Sequence, residues 1–234
     1  MRLISSRGEG NVITTFKGTD ILKDFANRLR QEISKGLPGT EVQWALASSD
    51  RMIRDFPRTP RQDSKKAAVM ILLYPVENKV HTAFIQRPEY DGVHGGQISF
   101  PGGKKERSDP DLIYTAIREA SEEVGADMAG INVISTLTPL YIPVSNIVVT
   151  PVVGWMEKQP EFKRQEEEVV FIIEADLKTL LNPATIKTKP FEIRGEIIDI
   201  KYFAYKNHVI WGATAMILYE LITIFRDGNF DEEV

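Results

Sequence analysis

The sequence predicts a mixed α/β or α+β fold, built as one main domain behind a helical N-terminal segment. Three observations carry this expectation. Short apolar runs suited to buried strands, "AAVMILLYP" foremost, alternate with amphipathic helical patterns. The 234 residues are ample for a full core, and 42% hydrophobic with 26% charged residues is ordinary for a globular chain. No repeat or low-complexity tract interrupts the pattern. On this reading residues 1–66 form an N-terminal helical extension and residues 67–234 the main domain.

Each element follows from its residues. "TDILKDFANRLRQEISKG" sets Ile21, Leu22, Phe25, Ala26, Leu29 and Ile33 on one helical stripe, with Thr19 or Asp20 able to cap its start and Gly36 its end. Residues 37–66 carry Pro38, Pro57 and Pro60 among many charges and read as loop or short helix. "KKAAVMILLYP" and "KVHTAFIQRP" are two strands of a hairpin joined by the polar turn "VENK". A Phe-Pro-Gly-Gly turn then leads to a helix. Asp109 is its expected cap, Pro110 stands in its first turn, and Gly125 suits the left-handed position at its end. Leu112, Ile113, Ala116, Ile117, Ala120 and Val124 make its buried stripe. "INVISTLTPL" and "NIVVTPVVGWM" are strands split by the loop "YIPVSN". "EEEVVFIIEA" is a further strand, followed by the short helix "DLKTLL". Two β-rich segments, Phe191 to Ile198 and Lys201 to Tyr205, precede a closing helix from about Ala213 to Phe225.

Composition narrows the function. A net charge of −4 offers no basic excess for nucleic acid, so an anionic ligand would need local cations or a metal. The absence of cysteine removes disulfides, thiolate nucleophiles and Cys-ligated zinc, and suits a reducing compartment. "MRLISSRGEGNVITTF" has no apolar signal region, and the longest apolar run is too short to span a bilayer. The expectation is a cytoplasmic protein that binds neither membrane nor nucleic acid.

The chemistry gathers in "SFPGGKKERSDPDLIYTAIREASEEVGA". At 100° per residue Glu119, Glu122 and Glu123 project together beside the apolar stripe, although like charges at this spacing repel by roughly a few tenths of a kcal/mol per pair. Glu119 and Glu123 stand one turn apart and can reach one ion. Hard oxygen donors alone favour Mg²⁺ or Mn²⁺ over zinc. Arg118 can pair with Glu122 or a loop carbonyl and fix the carboxylates. Gly102 and Gly103 let the backbone approach closely, so that a carbonyl at Gly103 can add a ligand. Taken alone, the helical pattern favours a solvated face of ordinary Glu/Arg pairs.

The order of parts changes that balance. The stretch resembles the Nudix box, G-x5-E-x7-R-E-U-x-E-E-x-G-U with U apolar. Gly103 opens it, and Arg118, Glu119, Ala120, Glu122, Glu123, Gly125 and Ala126 fill its second half. Asp109 replaces the early Glu, and the spacing to Arg118 is one residue longer than the general pattern, as in the coenzyme A diphosphatase subgroup. A second signature of that subgroup, R-S-x-x-L-R-x-H-x-G-Q-I-S-F-P-G-G, resembles "RPEYDGVHGGQISFPGG". Arg87, His94, Gly96, Gln97, Ile98, Ser99, Phe100, Pro101, Gly102 and Gly103 match, and Asp91-Gly92 replaces the Leu-Arg pair. "VTPVVG" and "IWGATA" extend the resemblance, which runs from about Ala67 to Ala215.

The resemblance implies an α/β/α sandwich around a mixed sheet and a metal-dependent diphosphatase. Glu119, Glu122, Glu123 and the Gly103 backbone would hold Mg²⁺ or Mn²⁺. Arg87 would fork onto a phosphate. His94 would contact phosphate or donate a proton, or else brace its loop. Gln97, Ser99, Gly102 and Gly103 would touch substrate or shape the loop. Glu168 in "RQEEEVVF" aligns with an acid that completes the metal shell or acts as base, although Glu166 to Glu168 also read as a solvated acidic run. Either Glu122 or Glu168 would take the proton, with Arg118 in support. His81 and His208 read as structural or solvent-facing. The implied substrate is coenzyme A or an acyl form, split to 4′-phosphopantetheine and adenosine 3′,5′-bisphosphate. ADP-ribose, a dinucleotide, or a non-catalytic ligand-binding domain are the alternatives, and a homodimer is left open.

Overall fold

The structure is a computed structural model, and it describes residues 18–49, 57–77, 79–89, 95–193 and 195–230. Helix α1 (Gly18–Ser34) and the short α2 (Gly39–Trp44) come first. Strands β1 (Lys65–Val76), β2 (Lys79–Gln86), β3 (Ile98–Ser99) and β4 (Gly102–Lys104) follow, and then helix α3 (Leu112–Val124). Next come β5 (Asn132–Thr136), β6 (Leu140–Ile142), β7 (Ile147–Trp155), β8 (Phe171–Asp176) and α4 (Leu177–Leu181). Strands β9 (Ile186–Ile193), β10 (Glu196–Tyr205) and β11 (His208–Trp211) lead into α5 (Gly212–Asp227).

Strand β1 organises the molecule. Its run from Ala67 to Tyr74 is apolar throughout because both faces are buried, as strands covered by helices on both sides require. Ala68, Met70 and Leu72 pack with Ala116, Ala120 and Val124 of α3. Ile71 and Leu73 face the other layer, with Phe25 and Leu29 of α1 and Leu218 and Leu221 of α5. The sheet is mixed, since β1 runs parallel to β7 and antiparallel to β2. It carries helices on both faces, so the expected fold class is met. A second, three-stranded sheet has the order β11-β10-β9.

Helices α1 and α2 share the main core. Phe25, Ala26, Leu29 and Ile33 of α1 are buried at helical spacing, each large side chain contributing about 2 kcal/mol on the area scale. Gln43 of α2 donates through Nε2 to Glu220 Oε2 of α5 (2.8 Å) and to the Thr138 carbonyl (2.7 Å). The Gly39 N–H and the Thr138 hydroxyl both donate to Glu220 Oε1. A fully buried carboxylate therefore fastens α2 to α5.

Several boundaries differ from expectation. Helix α1 begins at Gly18, which puts Thr19 and Asp20 inside its first turn; the side chains of Ile21 and Leu22 lie outside the described residues. Helix α3 is capped by Asp111, whose carboxylate accepts from the Tyr114 N–H at 2.7 Å. Asp109 and Pro110 precede it, because Asp109 is committed to Arg118. Gly125 takes the left-handed cap as expected (φ 72°). The loop read over "YIPVSN" is shorter, since β6 continues to Ile142 and pairs with β7. His208 opens β11 rather than sitting in a turn; four residues are too few to show a period.

Candidate active site

Strands β1 and β2 pair only near their connection, from Leu73↔Thr82 to Val76↔Lys79, and then part. The segment 98–104 enters the opening, with β3 on the C-terminal end of β2 and β4 on the N-terminal half of β1. The Phe-Pro-Gly-Gly turn sits in that fork, where only glycine fits. A Cβ on Gly102 would lie 2.6 Å from Val69 Cα, and one on Gly103 would lie 2.6 Å from Glu119 Oε2. Gly102 thus lets β4 close on β1, and Gly103 makes room for a carboxylate.

Helix α3 aims its acids into this place. Glu123 is 1% exposed, and its Oε2 accepts from the Gly102 N–H at 2.7 Å. Arg87 Nη2 lies 3.5 Å from Glu123 Oε1 and donates to the Gly102 carbonyl at 2.7 Å, while Arg87 Nε donates to Ser99 Oγ at 3.1 Å. Burial pushes the Glu123 carboxyl up to about 7, with Glu119 and Glu168 adding repulsion and Arg87 and the Gly102 amide only partly offsetting it. Burial also raises Glu119, opposed by Arg118.

Arg118 is the hub of the other half. It meets Asp109 through two parallel contacts, Nε to Oδ1 and Nη2 to Oδ2, both 3.0 Å. It also donates to Glu122 Oε2 (2.8 Å), lies 3.0 Å from Glu119 Oε1, and reaches the Lys104 carbonyl at 3.3 Å. Asp109 further accepts from the Glu106 N–H and the Thr115 hydroxyl, both 2.9 Å. The Arg118 hydrogen bonds hold the Asp109 carboxyl well below the usual range, and Asp109 raises Arg118 above its ordinary value. The expected pairing of Arg118 with Glu122 or a loop carbonyl is present in both forms. Its bond to Asp109, read from sequence as a helix cap, was missed, although Asp109 occupies the early acid position of the motif.

Arg87, Glu119 and Glu123 line a cleft of about 750 Å³. Glu119, Glu123 and Glu168 stand on one side with Arg87, and aliphatic side chains of Ile142, Val149 and Ile217 on another. Glu168 is exposed on the loop after β7, which is tied to the end of α3 by Lys163 N–H to Val124 O and Gln165 N–H to Glu123 O, both 2.9 Å. Glu166 pairs outward with Arg164. Gln97 and Ser99 also line the cleft; Ser99 orients Arg87, and the Gln97 carbonyl accepts from the Arg87 N–H at 3.0 Å. Glu122 does not line it, since its half-exposed carboxylate is held by Arg118. His94 and Asp91-Gly92 lie outside the described residues. His81 and His208 stand apart from the cleft, His208 against the Phe171 ring.

The donor set suits a hard dication. The acids offer only oxygen, and burial, with like-charge repulsion added, holds Glu119 and Glu123 above the ordinary carboxylate value, so that a cation would be favoured there. Among the described residues no three acid or histidine side chains are already gathered as a ligand cluster, because Glu119 and Glu123 are turned onto arginines. No described helix is long and apolar enough to cross a membrane.

Comparison with known proteins supplies the family. The NUDIX domain family matches residues 64–214. Nudix hydrolase 22, chloroplastic, of Arabidopsis thaliana is 34% identical over 68% of this chain and 55% of its own length, so this chain spans just over half of that relative. An uncharacterized Nudix hydrolase, NudL, of Pectobacterium atrosepticum is 32% identical over 69% of this chain and 83% of its own. A MutT/nudix family protein of Enterococcus faecalis, known as a crystal structure, aligns over 80% of this chain and 73% of its own at 13% identity and a TM-score of 0.47.

Proposed function

The chain belongs to the Nudix hydrolase family, and from that premise we propose that it hydrolyses the diphosphate of coenzyme A, or of an acyl form, to the 4′-phosphopantetheine half and adenosine 3′,5′-bisphosphate. The observation that carries this reading is the meeting of Glu123 with Arg87 and the Gly102 backbone. There the coenzyme A diphosphatase-like signature, residues 87–103, touches the box carboxylates. A buried acid raised to about 7 beside a half-committed arginine is a place for a cation and a phosphate together.

In this reading Glu119 and Glu123 hold Mg²⁺ or Mn²⁺, with Glu168 and the Gly103 carbonyl as further oxygen donors. The metal, when bound, neutralises charge on the diphosphate. Arg87 keeps Nη1 uncommitted among the described residues and donates it to a phosphate oxygen, its fork fixed by Ser99 and Gly102. Glu168 is the base preferred over Glu122, because it lines the cleft and no described arginine holds it. It accepts a proton from water as the water oxygen bonds to phosphorus. The anhydride P–O bond breaks, and the departing phosphate keeps the electron pair.

The test is incubation of the protein with coenzyme A and Mn²⁺, with products separated by chromatography. Both named products are expected. If neither forms while ADP-ribose or a dinucleotide is cleaved well, the coenzyme A assignment is wrong. Glu119→Gln and Glu123→Gln should each lower the rate by about 100-fold or more with the circular dichroism spectrum unchanged; full activity in both would remove the metal-ligand roles.

A further inference from the structure

We propose that Val69, Val149, Ile147 and Ile142 form an aliphatic subsite in the cleft. It takes the branched carbon that coenzyme A carries next to its diphosphate, and so favours coenzyme A over diphosphates with a sugar at that position. The proposal rests on the diphosphatase reading above and adds to it the residues that select the substrate.

Strand register places these side chains. Strands β4, β1, β7 and β6 lie side by side in that order. Val69 stands opposite Gly102, Val149 opposite Ala67, and Ile147 between Lys65 and Ile142. Paired residues, and residues two apart on one strand, share a face of the sheet, so the four form one continuous aliphatic patch. All four line the cleft. Val69 and Ile147 are partly exposed, and Ile142 and Val149 each keep 8% of their surface open. Ala213 at the start of α5, also partly exposed, lines the same cleft. Aliphatic surface left open inside a cavity gains from an apolar ligand group that covers it.

Spacing decides which group that is. The diphosphate belongs beside Gly102, whose N–H holds Glu123 and whose carbonyl takes Arg87. Neighbouring strands lie roughly 5 Å apart, which puts Val69 about 5 Å and strand β7 about 10 Å from β4. The group that reaches the patch is therefore only a few bonds from the anhydride. In coenzyme A it is a carbon bearing two methyl groups, one methylene away from a phosphate oxygen. In ADP-ribose or a dinucleotide it is a ribose with hydroxyls. The patch offers a sugar or a base little. Thr214, next to Ala213, already donates its hydroxyl to the Ile98 carbonyl at 3.0 Å. Among the described residues the one aromatic in the lining is Phe100, which is 1% exposed and presents no face to a purine. Burying sugar hydroxyls without partners costs free energy, whereas burying methyl groups gains it.

The test compares coenzyme A with its analogue lacking the two methyl groups, by kcat/KM with Mn²⁺, and the two corresponding 4′-phosphopantetheines by titration calorimetry. The wild-type protein should favour the methylated form about tenfold in both, the scale of burying two methyl groups. In Ile147→Thr and in Val69→Thr that preference should fall toward one, with thermal melting showing each variant folded. Equal handling of the two forms by the wild type overturns the subsite and leaves the diphosphatase reading standing. A preference unchanged in both variants does the same. Variants that weaken AMP binding and spare 4′-phosphopantetheine also overturn it, since the patch would then hold the nucleoside half. Failure to cleave either coenzyme, with 4′-phosphopantetheine still preferred over its analogue, overturns the diphosphatase reading and leaves the subsite standing.

Discussion

Two arginine–carboxylate pairs stand on either side of Gly103, and they are built to opposite ends. Arg118 and Asp109 meet through two parallel 3.0 Å contacts, and Asp109 has two further donors, so its charge is fully matched and its carboxyl is held low. Arg87 and Glu123 share one 3.5 Å contact, and Glu123 is pushed up to about 7 by burial. Both acids are almost fully buried. What separates them is the number of hydrogen bonds each receives, and that number distinguishes a structural pair from a reactive one.

The sharpest way to break this contrast is Glu123→Gln. Turnover should fall by about 1,000-fold, while the metal-free protein should gain stability above pH 7 and gain little at pH 5. The sign follows from linkage. A carboxyl whose folded pKa is raised contributes stability below its unfolded pKa of 4.5 and loses that contribution as pH climbs through 7, so removing its charge helps only on the alkaline side. Thermal melting across pH 5 to 9 measures it. Asp109→Asn should do the reverse, destabilising the fold by about 3 kcal/mol at neutral pH because it leaves Arg118 without its main partner. Asp109 is held low, so that loss should shrink as the medium is acidified through the carboxylate range, as seen in urea denaturation.

A smaller effect should come from Mg²⁺. If the dication occupies the excess charge around Glu119 and Glu123, it should raise the melting temperature by a few degrees at pH 8 and by less at pH 6, where protons compete. No shift at either pH would count against the metal reading. The least effect is expected from Glu122→Gln. That carboxylate rests half-exposed on Arg118 outside the cleft, so activity should drop less than tenfold; a loss as large as that of Glu123→Gln would show that Glu122 turns inward during turnover.

The residues made most of this legible in advance. The apolar stripe of α3, its glycine end, the β1–β2 hairpin and the crowding of Glu119, Glu122 and Glu123 all follow local periodicity, which sequence displays directly. The difference between Glu122 and Glu123 was not legible, because one residue of helical rotation decides which acid enters the cleft and which meets Arg118. Asp109 was misread for a related reason. "SDPD" contains two suitable caps two positions apart, and only the arginine partner, nine residues on, settles which one caps.

The buried Glu220 reaches further than its own hydrogen bonds suggest. Helix α5 carries it at one level and, a turn or two earlier, offers Ala213, Thr214 and Ile217 to the cleft. Any shortened chain that starts at β1 would strip Gln43 and Gly39 from the Glu220 carboxylate and leave it the Thr138 hydroxyl alone. Helix α5 would also lose the apolar side chains of α1 and α2 that pack on it, and one bank of the cleft would loosen with it.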